Sequence, residues 1–313
     1  MKSAQIKKYG GPEVIEIVNV EKPKPGAGQV LVKVYASSIN PFDVAVLSGR
    51  VTQMTDSKLP MTIGLDIAGV VSEIGEGVEG FFVGNKVFGS ANVLAGGTGA
   101  FAELAVTPAG IISKMPGNLN FDEAAAIVLT GVSALQALTE HIDIKRGQKI
   151  LIHGGAGGIG TMAIQIAKSI GAYVVTTATG EGVNYVKKLG ADEIINYKSQ
   201  NFEEVLSDCD AVYDTIGGEV FEKSFKVLKK KGGIIVSMVA KDEKGLAGEY
   251  EDEAISQFTK VNTERLNKLA EFIEKGVVKP HIDKVFLLDR IREAFLYQMS
   301  GEVMGKVVIK IKD

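Results

Sequence analysis

Between Met1 and Phe121, hydrophobic positions come in short runs ended by glycine or proline, and few of them repeat at helical spacing. Val30–Tyr35, Ile67–Ile74, Lys86–Phe88 and Ala102–Val106 read as strands. Short strands with few helices among them predict a compact, partly open barrel. From Asp122 to Gly276 the rhythm changes. Ile150–Ile152 precedes a helical run, Ile159–Ile170, stopped by Gly171. Tyr173–Thr177 precedes Val183–Leu189, stopped by Gly190. Ile194-Ile195 precedes Phe202–Leu206, Ala211–Tyr213 precedes Val220–Leu228, and Ile234–Met238 follows Gly232-Gly233. This alternation predicts a parallel sheet covered on both faces. Amphipathic Thr263–Glu274, with Leu266, Leu269, Ala270 and Ile273 on one face, closes the series. Strand character then returns in Val285–Leu288 and Lys306–Ile311, on either side of a helix at Arg290–Met299. The predicted fold is therefore α/β: a barrel-like domain of residues 1–121 and 278–313, and a doubly wound parallel-sheet domain of residues 122–277.

Composition narrows the function. The 35 basic and 38 acidic residues leave a net charge of −3, which argues against a nucleic-acid backbone as partner. Met1–Lys8 has no apolar leader, and no run reaches membrane-spanning length, so a cytoplasmic protein without a membrane partner is expected. Cys209 is the one cysteine. It excludes a disulfide within the chain and a cysteine-built zinc site, suits a reducing compartment, and is expected to be an unreactive, partly buried thiol. Glycine is the outlier at 37 of 313 residues, against a usual share of roughly 7%.

Those glycines concentrate where chemistry is expected. Ile150–Gly160 reads I-L-I-H-G-G-A-G-G-I-G, with G-x-G-x-x-G at Gly155, Gly157 and Gly160, after a strand and before a helix. Glycines let the backbone approach an anion, and the next helix aims its free N–H groups at it. Backbone contacts from Gly157, Gly158 and Ile159 to a pyrophosphate are predicted, against the plainer reading of a turn that binds nothing. The next strand ends Thr176-Thr177-Ala178-Thr179-Gly180-Glu181. Hydroxyls, with Thr177 and Thr179 as candidate contacts, stand where NAD binders place a carboxylate. This favours NADP(H) over NAD(H), although Glu181 follows closely and no arginine or lysine lies in the turn. The loops Thr215-Ile216-Gly217 and Met238-Val239-Ala240 follow two strands at their carboxyl ends, the ligand-binding edge of such sheets. Thr215 and Met238 are the contacts expected from them.

A set of segments in fixed order carries a family resemblance. They include Gly10–Val14, Ser38–Asp43, Ile63–Val71, Val83–Gly89, Gly99–Glu103, Leu129–Gly131, the glycine loop, Leu189–Asp192, Asp214–Gly218 and Gly305–Val308. Together they resemble the medium-chain dehydrogenase/reductase superfamily, in its zinc-free quinone oxidoreductase branch, and more narrowly its enone and alkenal reductases. The resemblance implies a GroES-like β-barrel domain, a Rossmann domain, and a cleft holding a reduced nicotinamide cofactor. The zinc-ligand positions of the superfamily fall at Asn40, Leu65 and near Ala126, an amide and two hydrocarbons that cannot hold Zn²⁺, so no metal is expected.

The resemblance also assigns roles. Asn40 is the expected substrate-facing group, or else a turn residue before Pro41, and Asp43 orients its loop or simply opens a helix. Thr130 matches a position at the nicotinamide end. Tyr197 matches a tyrosine that bonds the 2′-phosphate, while the companion lysine falls at Gly182. Lys306 matches a cofactor contact, or is a solvated edge-strand lysine. Val44–Leu47 lacks the lysine of some relatives, so the proton after hydride transfer is expected from water. Relatives often dimerise through edge strands, for which the strand after Gly232-Gly233 is the candidate. The expected activity is hydride transfer from NADPH to a small quinone or α,β-unsaturated carbonyl. An enoyl-thioester reductase and a cofactor-binding protein with little turnover stay open as alternatives.

Overall fold

The computed structural model describes residues 1–51 and 59–312. The chain forms two compact units, one from Met1–Leu129, Val261–Glu274 and Pro280–Asp313, the other from Thr130–Lys260 and Lys275–Lys279. The first begins with strands β1 (Lys2–Ile6), β2 (Ile15–Asn19), β3 (Gln29–Ile39), β4 (Met61–Thr62), β5 (Asp66–Ile74), β6 (Lys86–Ser90), β7 (Leu104–Pro108) and β8 (Ile112–Lys114). Helices α1 (Pro41–Leu47) and α2 (Phe121–Ala126) belong to the same stretch, and α3 (Val128–Gln136) carries the chain onward. The second unit continues with β9 (Lys149–Ile152), α4 (Gly158–Ile170), β10 (Tyr173–Ala178), α5 (Glu181–Lys188), β11 (Glu193–Asn196) and α6 (Phe202–Val205). It ends with β12 (Ala211–Asp214), α7 (Glu219–Ser224), β13 (Ile234–Ser237), α8 (Leu246–Tyr250) and β14 (Glu253–Ser256). The chain then returns to the first unit as α9 (Thr263–Glu274), β15 (Ile282–Leu287), α10 (Ile291–Met299) and β16 (Lys306–Lys310).

The first unit is organised by β3, whose long alternating sequence buries Val30, Val32 and Val34 on one face. It pairs antiparallel with β5, β7 and β16. The last strand of the chain thus closes onto an early one, as the return of strand character predicts. Val30, Val32 and Val34 pack with Ile67, Val71 and Val87. A second cluster joins Ile6, Ile39 and Phe101 to Phe295, the two aromatic rings meeting edge to face at 5.9 Å.

In the second unit six parallel strands lie in the order β11-β10-β9-β12-β13-β14. Counted from β9, this is 3-2-1-4-5-6, the doubly wound order whose direction reverses between its first and fourth strands. Leu151, Val175, Val212 and Ile235 from four of these strands build one core with Phe221 and Phe225.

Three expectations are corrected. The strand after Gly232-Gly233 is β13, which is interior, because the acidic stretch after it supplies β14 as the parallel edge. Helix α9 follows the α/β series in the chain, yet it belongs to the first unit. Thr263 donates to the Ile112 carbonyl, Ser113 to Asn267 Oδ1, and Asn118 to the Ile273 carbonyl. Cys209 is fully rather than partly buried, bridged to Leu228, and burial pushes its thiol up to about 12. Among the described residues no helix is long and apolar enough to cross a membrane.

Candidate functional site

The glycine loop of the second unit lies at the reversal of strand order, between β9 and α4. Gly154 has φ +69° and starts the turn. Its N–H donates to Thr177 Oγ1 at 3.0 Å, and Gly155 N–H donates to the Thr177 carbonyl at 3.0 Å. Side chains are excluded here by close contact: a Cβ on Gly155 would lie 2.1 Å from Thr176 Oγ1, and one on Gly160 would lie 2.3 Å from the Gly154 carbonyl oxygen. Gly157 caps α4 with no side chain to satisfy the first-turn N–H groups, so those of Gly158 and Ile159 are left for an anion. The residues present therefore fit a pyrophosphate.

The loop is braced from beneath by a residue that the pattern reading left in the background. His153 is 1% exposed, and burial pushes its imidazole down to about 4, against the opposing pull of Asp214 and Glu203. Its Nε2 lies 3.0 Å from Ser224 Oγ, which itself donates to the Val220 carbonyl. On the other side Nδ1 lies 3.4 Å from Thr177 Oγ1. A neutral ring satisfies the whole relay, from Gly154 N–H through Thr177 and His153 to Ser224 and Val220. Thr177 is accordingly turned into the loop, where it shapes the cradle.

The neighbouring loops are held by two side chains that sequence reading did not single out. Asp214 Oδ1 accepts from Ile216 and Gly217 N–H at 2.9 and 3.0 Å, and its Oδ2 accepts from Ser237 Oγ at 2.6 Å. Ser237 Oγ in turn accepts from Val239 and Ala240 N–H. One carboxylate and one hydroxyl thus pin both loops. Thr215 Oγ1 donates to the His153 carbonyl at 2.9 Å, and half-buried Met238 receives Gln257 Nε2 on its sulfur. On the other side of the loop, the register Ala178↔Asn196 puts Thr179 and Tyr197 next along adjacent chains, Tyr197 with 57% of its surface exposed. A Cβ on Gly182 would sit 2.9 Å from the Ala156 methyl, so this position packs α5 against the glycine loop and has no room for a lysine stem. Thr130 is 5% exposed on α3.

The first unit holds a separate polar cluster. Lys306 is interior, because β16 is flanked by β15 and β3. Its Nζ donates to the Ile39 carbonyl at 2.8 Å and to Asn40 Oδ1 at 2.5 Å, and lies 3.7 Å from Asp66 Oδ2. Asp66 Oδ2 also accepts from Asn40 Nδ2 at 2.7 Å and from Ser38 Oγ at 2.8 Å. Both ends of the Asn40 amide are therefore engaged inside the protein, and the residue is 1% exposed. Asp43 Oδ2 accepts from Asn40 N–H at 2.7 Å, at the start of α1. Its Oδ1 is buried with no hydrogen-bond partner among the described residues. Burial, with the Asp66 charge nearby, pushes Asp43 up to about 8. Burial also raises Asp66 and lowers Lys306, each partner opposing the other's shift. Leu65 and Ala126 are buried hydrocarbons. Among the described residues no group of three or more His, Cys, Asp or Glu side chains is placed to hold a metal ion.

Comparison with known proteins agrees with this geometry. Residues 26–117 match the alcohol dehydrogenase GroES-like domain, and residues 189–309 match a family described as zinc-binding dehydrogenase. The chain is 37% identical to the 2-methylene-furan-3-one reductase of Solanum lycopersicum, over 99% of this chain and 79% of that protein. It is 33% identical to the chloroplastic NADPH-dependent alkenal/one oxidoreductase of Arabidopsis thaliana, over 99% of this chain and 79% of that protein. It superposes on the quinone oxidoreductase from Coxiella burnetii with a TM-score of 0.92 at 32% identity, covering 100% of this chain and 99% of the other. The chain belongs to the quinone oxidoreductase branch of the medium-chain dehydrogenase/reductase superfamily. Membership of that branch accounts for the pairing of a GroES-like unit with a doubly wound one. Of the expected contacts, the fold gathers Gly155, Gly157, Gly158, Ile159, Gly160, Thr177 and Thr215 around one loop. Asn40 and Lys306 meet in a different cluster. The sequence signals that could have exposed the missed residues were Asp214 ending a strand before two glycines, and Asp66 in the middle of an apolar run.

Proposed function

We propose that this chain is an NADPH-dependent reductase of quinones and α,β-unsaturated carbonyls that works without zinc. The observation that carries the reading is the glycine cradle at the reversal of a 3-2-1-4-5-6 sheet, with an uncapped helix start facing it. When bound, the reduced nicotinamide supplies the hydride. The N–H groups of Gly158 and Ile159 hold the pyrophosphate. Thr179 and Tyr197 take the second ribose and its 2′-phosphate, at a strand end that carries no carboxylate to repel it. Asp214 and Ser237 keep the loops carrying Thr215 and Met238 in place at the nicotinamide end, where Thr130 also contributes. Asn40, gripped by Asp66 and Lys306, is a positioning residue that fixes the start of α1. Water returns the proton.

Zinc independence is supported by the donor set: Asn40, Leu65 and Ala126 offer one amide and two hydrocarbons. The free edge β14 supports a homodimer, and a single buried thiol supports a cytoplasmic setting.

The test is loss of reduced-nicotinamide absorbance with a small quinone, an enone and an enoyl thioester, each with NADPH and with NADH. NADPH turnover with the first two, unaffected by a chelator, is expected. Tight NADPH binding without turnover of any acceptor would instead favour a non-catalytic binding protein. Loss of activity with chelator would refute zinc independence.

A further inference from the structure

His153 stands directly after β9, between β10 and the loop that follows β12. Its N–H donates to the Tyr213 carbonyl at 3.0 Å and its carbonyl accepts from Thr215 Oγ1, so its backbone is fastened to the β12 side. Its ring reaches Thr177 of β10 and Ser224 of α7, and the Phe202 ring packs against it at 4.7 Å and 72°. Packing thus fixes the plane of the imidazole, and the hydrogens around it fix the tautomer. Ser224 gives its one hydroxyl hydrogen to the Val220 carbonyl at 2.6 Å, so toward His153 it can only accept. Nε2, 3.0 Å away, must be the donor, and the ring hydrogen is assigned there. The opposite tautomer would set two lone pairs face to face.

Nδ1 is then a bare acceptor, 3.4 Å from Thr177 Oγ1. Thr177 turns its hydroxyl hydrogen to that nitrogen and keeps a lone pair for Gly154 N–H at 3.0 Å. The same Gly154 peptide unit leads on to the helix: the Gly154 carbonyl accepts from Gly157 N–H at 3.0 Å, and Gly157 is the residue from which α4 starts. A line of hydrogen bonds therefore runs from Nδ1 through Thr177 and Gly154 to the helix start that faces the pyrophosphate. Its longest link is the one between His153 and Thr177, so that link should fail first when either side is changed.

We propose that His153 is a positioning residue for the cofactor whose two ring nitrogens have separate tasks. Nδ1 sets the cradle through Thr177, and Nε2 anchors α7 through Ser224. The inference rests on the dinucleotide reading of the site and deepens it, because it names what holds the glycine loop in its binding shape. Amide side chains separate the two tasks. Asparagine carries an acceptor near the Nδ1 position and reaches no further. Glutamine reaches toward Ser224 and leaves the Nδ1 position without an acceptor.

The full-length chain, His153→Asn, His153→Gln, Thr177→Val and the double variant His153→Gln with Thr177→Val are titrated calorimetrically with NADP⁺, and each is melted without it. His153→Gln is expected to bind about tenfold more weakly while melting close to the wild type. His153→Asn should stay within about threefold of the wild-type affinity yet melt several degrees lower. Thr177→Val should also lose about tenfold, and the double variant should be no weaker than Thr177→Val, since both changes cut one line. Nitrogen NMR of the wild type should show the ring hydrogen on Nε2. Equal affinity losses in the asparagine and glutamine variants, losses that multiply in the double variant, or a ring hydrogen on Nδ1 would each overturn the proposal. Should His153→Gln fail to fold, Thr177→Val carries the test with the ring intact, and an unchanged affinity there overturns it. A wild-type chain that binds neither NADP⁺ nor NADPH would overturn the dinucleotide reading itself. The expected pattern of affinities without reduction of any quinone or enone would leave the relay standing and overturn the reductase reading alone.

Discussion

Asp43 shows how one residue can set a pH dependence. Its carboxyl is raised from an ordinary 3.8 to about 8 by burial, so the folded chain holds a proton there that the unfolded chain has released. That contribution to stability is complete below pH 3.8 and declines as pH rises toward 8. His153 acts the other way: lowered from 6.5 to about 4, its contribution is present above pH 6.5 and fades as pH falls toward 4. The two oppose each other in the acid range, and Asp43 acts without that opposition from 6.5 to 8. Asp43→Asn keeps an acceptor for Asn40 N–H and removes the titration. Its melting temperature is expected to stay level across that upper window, while that of the wild type falls by a few degrees. Parallel curves for the two proteins would show that Asp43 is ionised throughout. A buried acid of this kind was only partly legible. N-P-F-D announces a helix start, whereas the burial of an Oδ1 with no hydrogen-bond partner among the described residues is a product of packing.

At the scale of elements, the loops after β12 and β13 are one mechanical piece. Ser237 joins them by donating to Asp214 and accepting two backbone N–H groups of the second loop. Ser237→Ala leaves a buried carboxylate oxygen and those N–H groups without this partner, at a cost of about 1–3 kcal/mol. NADPH affinity, measured by fluorescence titration, is expected to weaken about tenfold. An unchanged affinity would mean that the loops hold their shape without the serine. The strands and helices themselves were readable from period and glycine stops, because a β-α rhythm and a cradle use neighbours in the chain. β14 was not, since its short acidic sequence becomes a strand only by pairing with β13.

For the whole molecule, Lys306 ties the chain's last strand to its beginning. It reaches the Ile39 carbonyl and the Asn40 amide, and the network extends to Asp66. Lys306→Met would strand the Asp66 charge in the interior and is expected to cost about 3–5 kcal/mol. Removing the charge as well, in Lys306→Met with Asp66→Leu, should recover most of that loss. Denaturant unfolding of the two single variants and the double variant measures the coupling. Equal and additive losses would show that the two side chains do not act as a pair.

By itself the sequence determined the two kinds of architecture, their order along the chain and the glycine loop between β9 and α4, because hydrophobic period, glycine stops and a loop between consecutive elements are local properties. Tertiary structure alone decided that Asn40 faces inward, that Lys306 is buried, and that one oxygen of Asp43 has no hydrogen-bond partner among the described residues. Each of these depends on segments far apart in the chain meeting across a sheet, and on the water they exclude when they meet.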